Sequence, residues 1–186
     1  MSEFTEDLLS SLDLQLLETD VKTMLDSKKH LKEVLNEILN WIEFESRSDI
    51  LTSILLYNHE TSQLFDGAAP SLPDRYRKVI SGSKTGPVAG SCGTAAFYGK
   101  QVIVEDIATD PLWKDYKSYA LVEGLHSCWS TPVFNSKGDL LGTFALYYKE
   151  PRKPTERDLE LIEELVEVTA SAIEEKEEDF MKMIGQ

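Results

Sequence analysis

Two cysteines, three histidines and a cluster of acids and aromatics between residues 90 and 130 hold the chemical potential of this chain. Cys92 stands in G-S-C-G-T-A-A at 90–96, where a glycine-rich loop enters a possible helix, and a thiol placed there ionises more readily than a free one. Cys128 lies in an apolar, strand-like segment and reads as a small core residue. Neither cysteine belongs to a C-x-x-C pair, which argues against a disulfide framework and a structural zinc site. His30, His59 and His126 are too far apart in sequence to suggest a metal cluster. His126 precedes an apolar strand, from which its imidazole could serve as an axial haem ligand; a surface or structural role is the plainer reading.

Glu105, Asp106 and Asp110 could form a paired-carboxylate site, although Asp106 and Asp110 are equally suited to capping turns. Residues 90–94, ending at Thr94, resemble a phosphate cradle in exposing backbone N–H groups, but the Lys-Ser/Thr ending of a P-loop is missing and tight turning is expected instead. Trp113 and Tyr116 occupy a loop from which they could stack on a planar ligand, whereas Trp129 is expected in the core. The candidate ligand-binding residues are thus Cys92, Thr94, Asp106, Trp113, Tyr116 and His126. No catalytic or metal-binding residue is assigned, and no cofactor is identified.

The elements that must position these residues follow from composition and periodicity. A chain of 186 residues, 41% hydrophobic and 28% charged, suits about one globular domain with some additional helix. Its net charge of −14 disfavours nucleic acid and anionic membrane as partners. Residues 156–179 hold eleven acids and two basic residues, so most of the excess belongs to one solvated helix face. The acidic start MSEFTEDLL lacks the basic and apolar regions of a signal peptide, and no run of eighteen apolar residues occurs, so a cytoplasmic location is expected.

Leu8, Leu9, Leu12, Leu14, Leu16 and Leu17 suggest a short first helix with weak boundaries. From Leu17 a heptad-like seam runs through Val21, Met24, Lys28, Leu31, Leu35, Ile38 and Ile42. A second seam, Leu159, Ile162, Val166, Thr169, Ile173, Glu177, Phe180 and Ile184, follows a helix start at Pro154-Thr155, with Thr155 and Asp158 spaced as a capping box. Such seams serve packing within one subunit or between two. Between them, residues 50–57 and 63–68 read as a hairpin, 74–80 and 94–98 as short helices, 101–106 as a strand, and 110–121 as a loop and helix. Residues 128–134 and 140–148 read as a second hairpin, turned at Gly138. This order implies an α+β fold with a mainly antiparallel sheet, and lacks the strict βαβ alternation of a Rossmann fold.

G-A-A-P-S-L-P-D-R-Y at 67–76, G-S-C-G-T-A-A at 90–96, V-E-D-I-A-T-D-P-L-W at 104–113, C-W-S-T-P-V at 128–133 and G-D-L-L-G-T-F-A-L-Y-Y at 138–148 together resemble the GAF family. The chain is most similar to GAF modules of sensor kinases and diguanylate-cyclase-type signalling proteins. The resemblance implies a central antiparallel sheet of five or six strands, helices on both faces, and a small-molecule pocket roofed by residues 74–80 and the loops of 82–125. It also implies a GAF domain at 30–175, with helical extensions at 1–29 and 176–186. Terminal helices in the family commonly build a homodimer and report ligand occupancy to an output kinase or cyclase domain; none is visible here, so the chain is either a stand-alone module or a fragment.

The family's cyclic-nucleotide signature is matched only at Lys149 and Asp158, and the order His126-Ser127-Cys128-Trp129 departs from a bilin attachment site. Free methionine-(R)-sulfoxide reductases share the fold and place a catalytic cysteine near 117–120, where this chain has Lys-Ser-Tyr-Ala. A non-enzymatic sensor of an unidentified small molecule is therefore expected. A haem-based sensor, a ligand-free dimerisation module and a reductase-like enzyme are the alternatives.

Overall fold

The computed structural model describes residues 13–46 and 50–185; of the expected first helix, Leu8, Leu9 and Leu12 lie outside them, while Leu14, Leu16 and Leu17 are helical. The elements in order are α1 (Leu14–Leu25), α2 (Leu31–Glu45), β1 (Leu51–Asn58), β2 (Gln63–Ala68), α3 (Asp74–Ile80), β3 (Ser83–Lys84), α4 (Gly90–Tyr98), β4 (Val102–Val104), a 3-10 turn (Pro111–Trp113), α5 (Lys117–Val122), β5 (Ser127–Phe134), β6 (Leu140–Tyr148), α6 (Glu156–Glu175) and α7 (Glu177–Met183). The strands form one antiparallel sheet in the order β3-β2-β1-β6-β5-β4, as the α+β reading required. Among the described residues no helix is long and apolar enough to cross a membrane.

Both faces of the sheet are covered. On one, Ile54, Leu56, Trp129, Phe144 and Leu146 meet Leu35, Ile38 and Ile42 of α2 and Leu161, Ile162 and Leu165 of α6. On the other, Leu55, Cys128, Ala145 and Tyr147 meet Tyr76 of α3, Cys92 and Ala96 of α4, and Trp113. Because side chains alternate along a strand, neighbours such as Cys128 and Trp129, or Tyr147 and Tyr148, belong to opposite cores.

At the sheet centre β6 approaches β1 closely at Gly142. A Cβ added to Gly142 would lie 2.0 Å from the Leu55 carbonyl oxygen and 3.2 Å from the Leu56 Cα, contacts that only glycine avoids.

The first helical seam does not form one helix. It breaks between Leu25 and Leu31, around the polar Lys28. The Ser27 hydroxyl binds the Met24 carbonyl and accepts from the Lys29 amide at 3.2 Å, ending α1. A new helix then starts, with Glu33 accepting from the His30 amide at 2.8 Å. Asp179 of α7 completes this start by accepting from the Leu31 amide at 2.9 Å, with His30 Nδ1 at 3.2 Å. Leu17 and Val21 of α1, and Leu31, Leu35, Ile38 and Ile42 of α2, are buried within the chain itself. The second seam bends at Lys176, between α6 and α7. Thr155 and Asp158 form the expected capping box, with reciprocal bonds of 3.1 and 2.9 Å. The far end of α7 is tied down by the Asn58 side-chain amide, which donates to the Ile184 carbonyl at 2.7 Å.

Two substitutions test this framework. Gly142→Ala should lower stability by about 2–3 kcal/mol, because the added methyl must push β6 from β1; urea unfolding followed by circular dichroism measures it. Asp179→Ala should cost about 1 kcal/mol at neutral pH through loss of the α2 cap. The Leu31 amide bond, helped by His30, holds the Asp179 carboxyl below its usual range. That stabilisation is present above the unfolded carboxylate value and lost as pH falls through the lower folded one, so the two proteins should converge once the pH has fallen below that lowered value.

Candidate functional site

The second core gathers several buried polar side chains. α4 enters it through Gly90, whose φ of 64° belongs to the left-handed region. The Trp113 and Tyr116 rings pack against that residue, each 3.9 Å from where a Cβ would stand. One residue on, the Ser91 hydroxyl donates to the Cys128 carbonyl at 3.1 Å and accepts from the Trp113 indole N–H at 3.0 Å. These bonds hold the first turn of α4 between β5 and the 3-10 turn.

Beneath it lies a cavity of about 20 Å³ bordered by Tyr76, Ser91, Cys92, Trp113, Tyr116 and Tyr147. That is room for about one molecule of the size of water. The Tyr76 and Tyr147 rings meet edge to face at 5.9 Å, and the Tyr147 hydroxyl stands 3.9 Å from Cys92 Sγ. Larger depressions between α1 and α2, and beside α6, are open to solvent and border neither cysteine.

The two thiols share this core and act on one another. Cys92 is pulled down to about 7, first by a hydrogen bond from Cys128 and further by the hydroxyls of Ser130, Thr143 and Tyr147, against the opposing effect of burial. Burial and the neighbouring Cys92 push Cys128 well up, so the pair favours a thiolate on Cys92 and a thiol on Cys128. Burial likewise pushes the Tyr76 and Tyr147 phenols well up and keeps them protonated. Ser53, Ser130 and Thr143 are fully buried, and their hydroxyls make no hydrogen bond of good geometry. Ser53 and Ser130 both pair with Ala145 across the sheet, and Thr143 lies two residues before it, so all three occupy the cavity-side face.

Of the six candidate residues, Cys92, Trp113 and Tyr116 come together at the cavity. The other three stand elsewhere. Thr94 is buried in α4 and its hydroxyl accepts from the Ala89 amide at 3.0 Å, closing the preceding loop. Asp106 accepts from the Ala108 amide at 2.9 Å and from the Thr109 hydroxyl at 3.1 Å, which is a turn-capping role. His126 continues β5 through its backbone, donating to the Tyr148 carbonyl and accepting from the Ile107 amide, both at 2.8 Å, and does not border the cavity. Asp110 caps the 3-10 turn through the Leu112 amide at 2.8 Å, so Asp106 and Asp110 each serve a separate local turn.

Sequence reasoning missed Tyr76, Ser91 and Tyr147 as cavity residues and treated Cys128 as core filling alone. The available signal was small polar residues at alternate positions of otherwise apolar strands, Cys128 and Ser130 in β5 and Thr143 in β6. Residues 117–120 form the start of α5 and present Ser118 on the surface. Among the described residues no group of three or more His, Cys, Asp or Glu side chains could hold a metal ion.

The chain is 38% identical over 162 residues to the methyl sulfide methyltransferase-associated sensor of Methanosarcina acetivorans, an alignment covering 87% of this chain and 16% of that protein. Its fold is similar to the GAF domain of a phosphoenolpyruvate-protein phosphotransferase from Coxiella burnetii, with a TM-score of 0.71 and 15% identity over 90% of this chain and 96% of the other. It is also similar to a free methionine-R-sulfoxide reductase from Neisseria meningitidis, with a TM-score of 0.70 and 14% identity over 89% and 90% of the two chains. A family model for the GAF domain matches residues 28–174, and the chain belongs to that family.

Proposed function

We propose that this GAF domain is a sensory module in which a small ligand enters the cavity beneath α3 and α4 and its occupancy is passed to the terminal helices. The observation that carries the reading is the polar wall of the cavity-side core, where three buried hydroxyls without hydrogen-bond partners lie alongside two thiols and two phenols. Buried polar groups without partners are costly, and a guest that pairs with them recovers that cost.

The route outward runs through strand alternation. Tyr147 borders the cavity while Tyr148 faces the helical core, where its ring packs 4.6 Å from that of Trp129. The Trp129 indole donates to the Arg152 carbonyl at 3.1 Å, and the Arg152 guanidinium lies 5.4 Å from the Tyr148 ring centre. Arg152 sits in the segment joining β6 to α6, so a guest that shifts Tyr147 acts on the seat of α6. Such a coupling requires two arrangements of that seat with different ligand affinities.

On this reading residues 30–175 are the sensing body and the flanking helices are its outputs. They act in the cytoplasm on a partner copy and on a kinase or cyclase domain of a longer protein. The partner copy docks on the outer side of α1 and α2, where Leu16 and Phe44 are exposed, Phe44 by 85%. The small cavity volume supports a second reading, a dimerisation module whose pocket is filled by its own side chains.

Native mass spectrometry of protein purified from cells separates the two readings. A sensor retains a small molecule or is stabilised by one member of a metabolite panel, by about 2.7 kcal/mol at a hundredfold excess over Kd. Cys92→Leu, which fills the cavity, abolishes both effects while leaving the circular dichroism spectrum intact. If nothing is retained and nothing stabilises, the pocket is structural. Light scattering at high micromolar concentration tests the assembly: twice the chain mass of 21.0 kDa is expected for the parent and a single chain for Phe44→Glu. A monomeric parent removes the dimer.

A further inference from the structure

We propose that Cys92 and Cys128 form a peroxide-reactive dithiol, in which Cys92 is oxidised by a small hydroperoxide entering the cavity and Cys128 resolves the product to a disulfide. This goes beyond the ligand reading and needs only the cavity and the two thiols. Three observations support it. Cys92 Sγ borders the cavity, whereas Cys128 sits behind it on β5 and is fully buried, so the attacking and resolving roles are assigned by position. The Ser91 hydroxyl, next to Cys92, donates to the Cys128 carbonyl at 3.1 Å, which sets the start of α4 against Cys128, and the Tyr147 hydroxyl stands 3.9 Å from Cys92 Sγ. Beyond the two thiols, the ionisable side chains of this core among the described residues are the phenols of Tyr57, Tyr76, Tyr116 and Tyr147. Cys92 is also the third residue of α4, a nine-residue helix whose N-terminal partial charge favours a thiolate.

The chemistry balances without any group beyond the peroxide. The Cys92 thiolate attacks one peroxide oxygen, the O–O bond breaks, and the leaving oxygen takes up the proton lost from Cys92 to depart as water or an alcohol. Sulfur is oxidised by two electrons to the sulfenic acid, and the peroxide is reduced by two. Cys128 sulfur then attacks Cys92 sulfur, forming the S–S bond and breaking the S–O bond, while the departing hydroxide takes the Cys128 proton and leaves as water. The cavity admits hydrogen peroxide and obstructs bulky hydroperoxides.

The chain's two cysteines make thiol counting unambiguous. The folded chain treated with hydrogen peroxide should lose both thiols and about 2 Da in intact mass, the signature of a disulfide formed from two thiols. The rate should rise about tenfold between pH 6 and pH 8 as Cys92 ionises, and should fall with cumene hydroperoxide. Cys128→Ser should stop at a sulfenic acid on Cys92 that dimedone traps, and Cys92→Ser should slow loss of the Cys128 thiol by at least about tenfold. The proposal is overturned if the native chain keeps both thiols under conditions that oxidise the urea-unfolded chain. It is equally overturned if Cys128 in the Cys92→Ser protein reacts at the parent rate. The first comparison uses the unaltered protein and stands even if a variant fails to fold.

Discussion

The sheet is assembled from two halves that meet along one line. β3, β2 and β1 come from the first half of the chain and β6, β5 and β4 from the second, and among the described residues the pairing of Leu51–Leu56 with Gly142–Tyr147 is their only strand-to-strand joint. Several long-range relations in the domain follow from that joint. It places α2, which precedes β1, next to α6, which follows β6, on one face. It also brings α3, from the first half, over Tyr147 of the second. The close approach at Gly142 is therefore a constraint on both cores at once.

The two cores differ in kind. The helical face is filled with leucine, isoleucine, valine and aromatic side chains, and its stability comes from apolar burial. The opposite face has a weaker apolar lining and spends buried volume on serine, threonine, tyrosine and cysteine. Polar groups in such an interior interact strongly because little water screens them, and those without partners carry a penalty. Unpaired polar atoms also occur on the helical side, at Tyr148 and Asp158, but on this face three unpaired hydroxyls lie together with two thiols. The Trp113–Ser91–Cys128 hydrogen-bond chain holds the first turn of α4 against β5 on this face.

Much of the architecture was legible because it is encoded locally. The 128–134 and 140–148 strands alternate their side chains between two cores around a turn at Gly138, and the Thr155–Asp158 box marks the start of α6. The break between α1 and α2 was not legible, because Lys28 is one polar residue in an otherwise regular seam and the cap that stabilises the new start comes from Asp179, far along the chain. β3 escaped because two residues inside a glycine-rich loop carry no period. At the site, Cys92, Trp113 and Tyr116 were recognisable as loop and helix-start residues of chemical interest. Their neighbours Tyr76 and Tyr147 look like ordinary core aromatics in sequence, and the meeting of Cys92 with Cys128 depends on how α4 lies across β5. Asp106 and His126 were chosen for their chemical type, which spacing cannot place on a particular wall.

Along β5, and along β6 beyond the irregularity at Leu141, odd and even residues belong to different cores. Inserting or deleting one residue within β5 would exchange the occupants of the two faces beyond that point, setting tryptophan where a thiol stands and a thiol where the α6 seat needs an indole. A residue change disturbs one wall; a length change transposes both. This half of the molecule should therefore tolerate new side chains more readily than a shift of even one position, with gain or loss of residues accommodated only in the turns between strands.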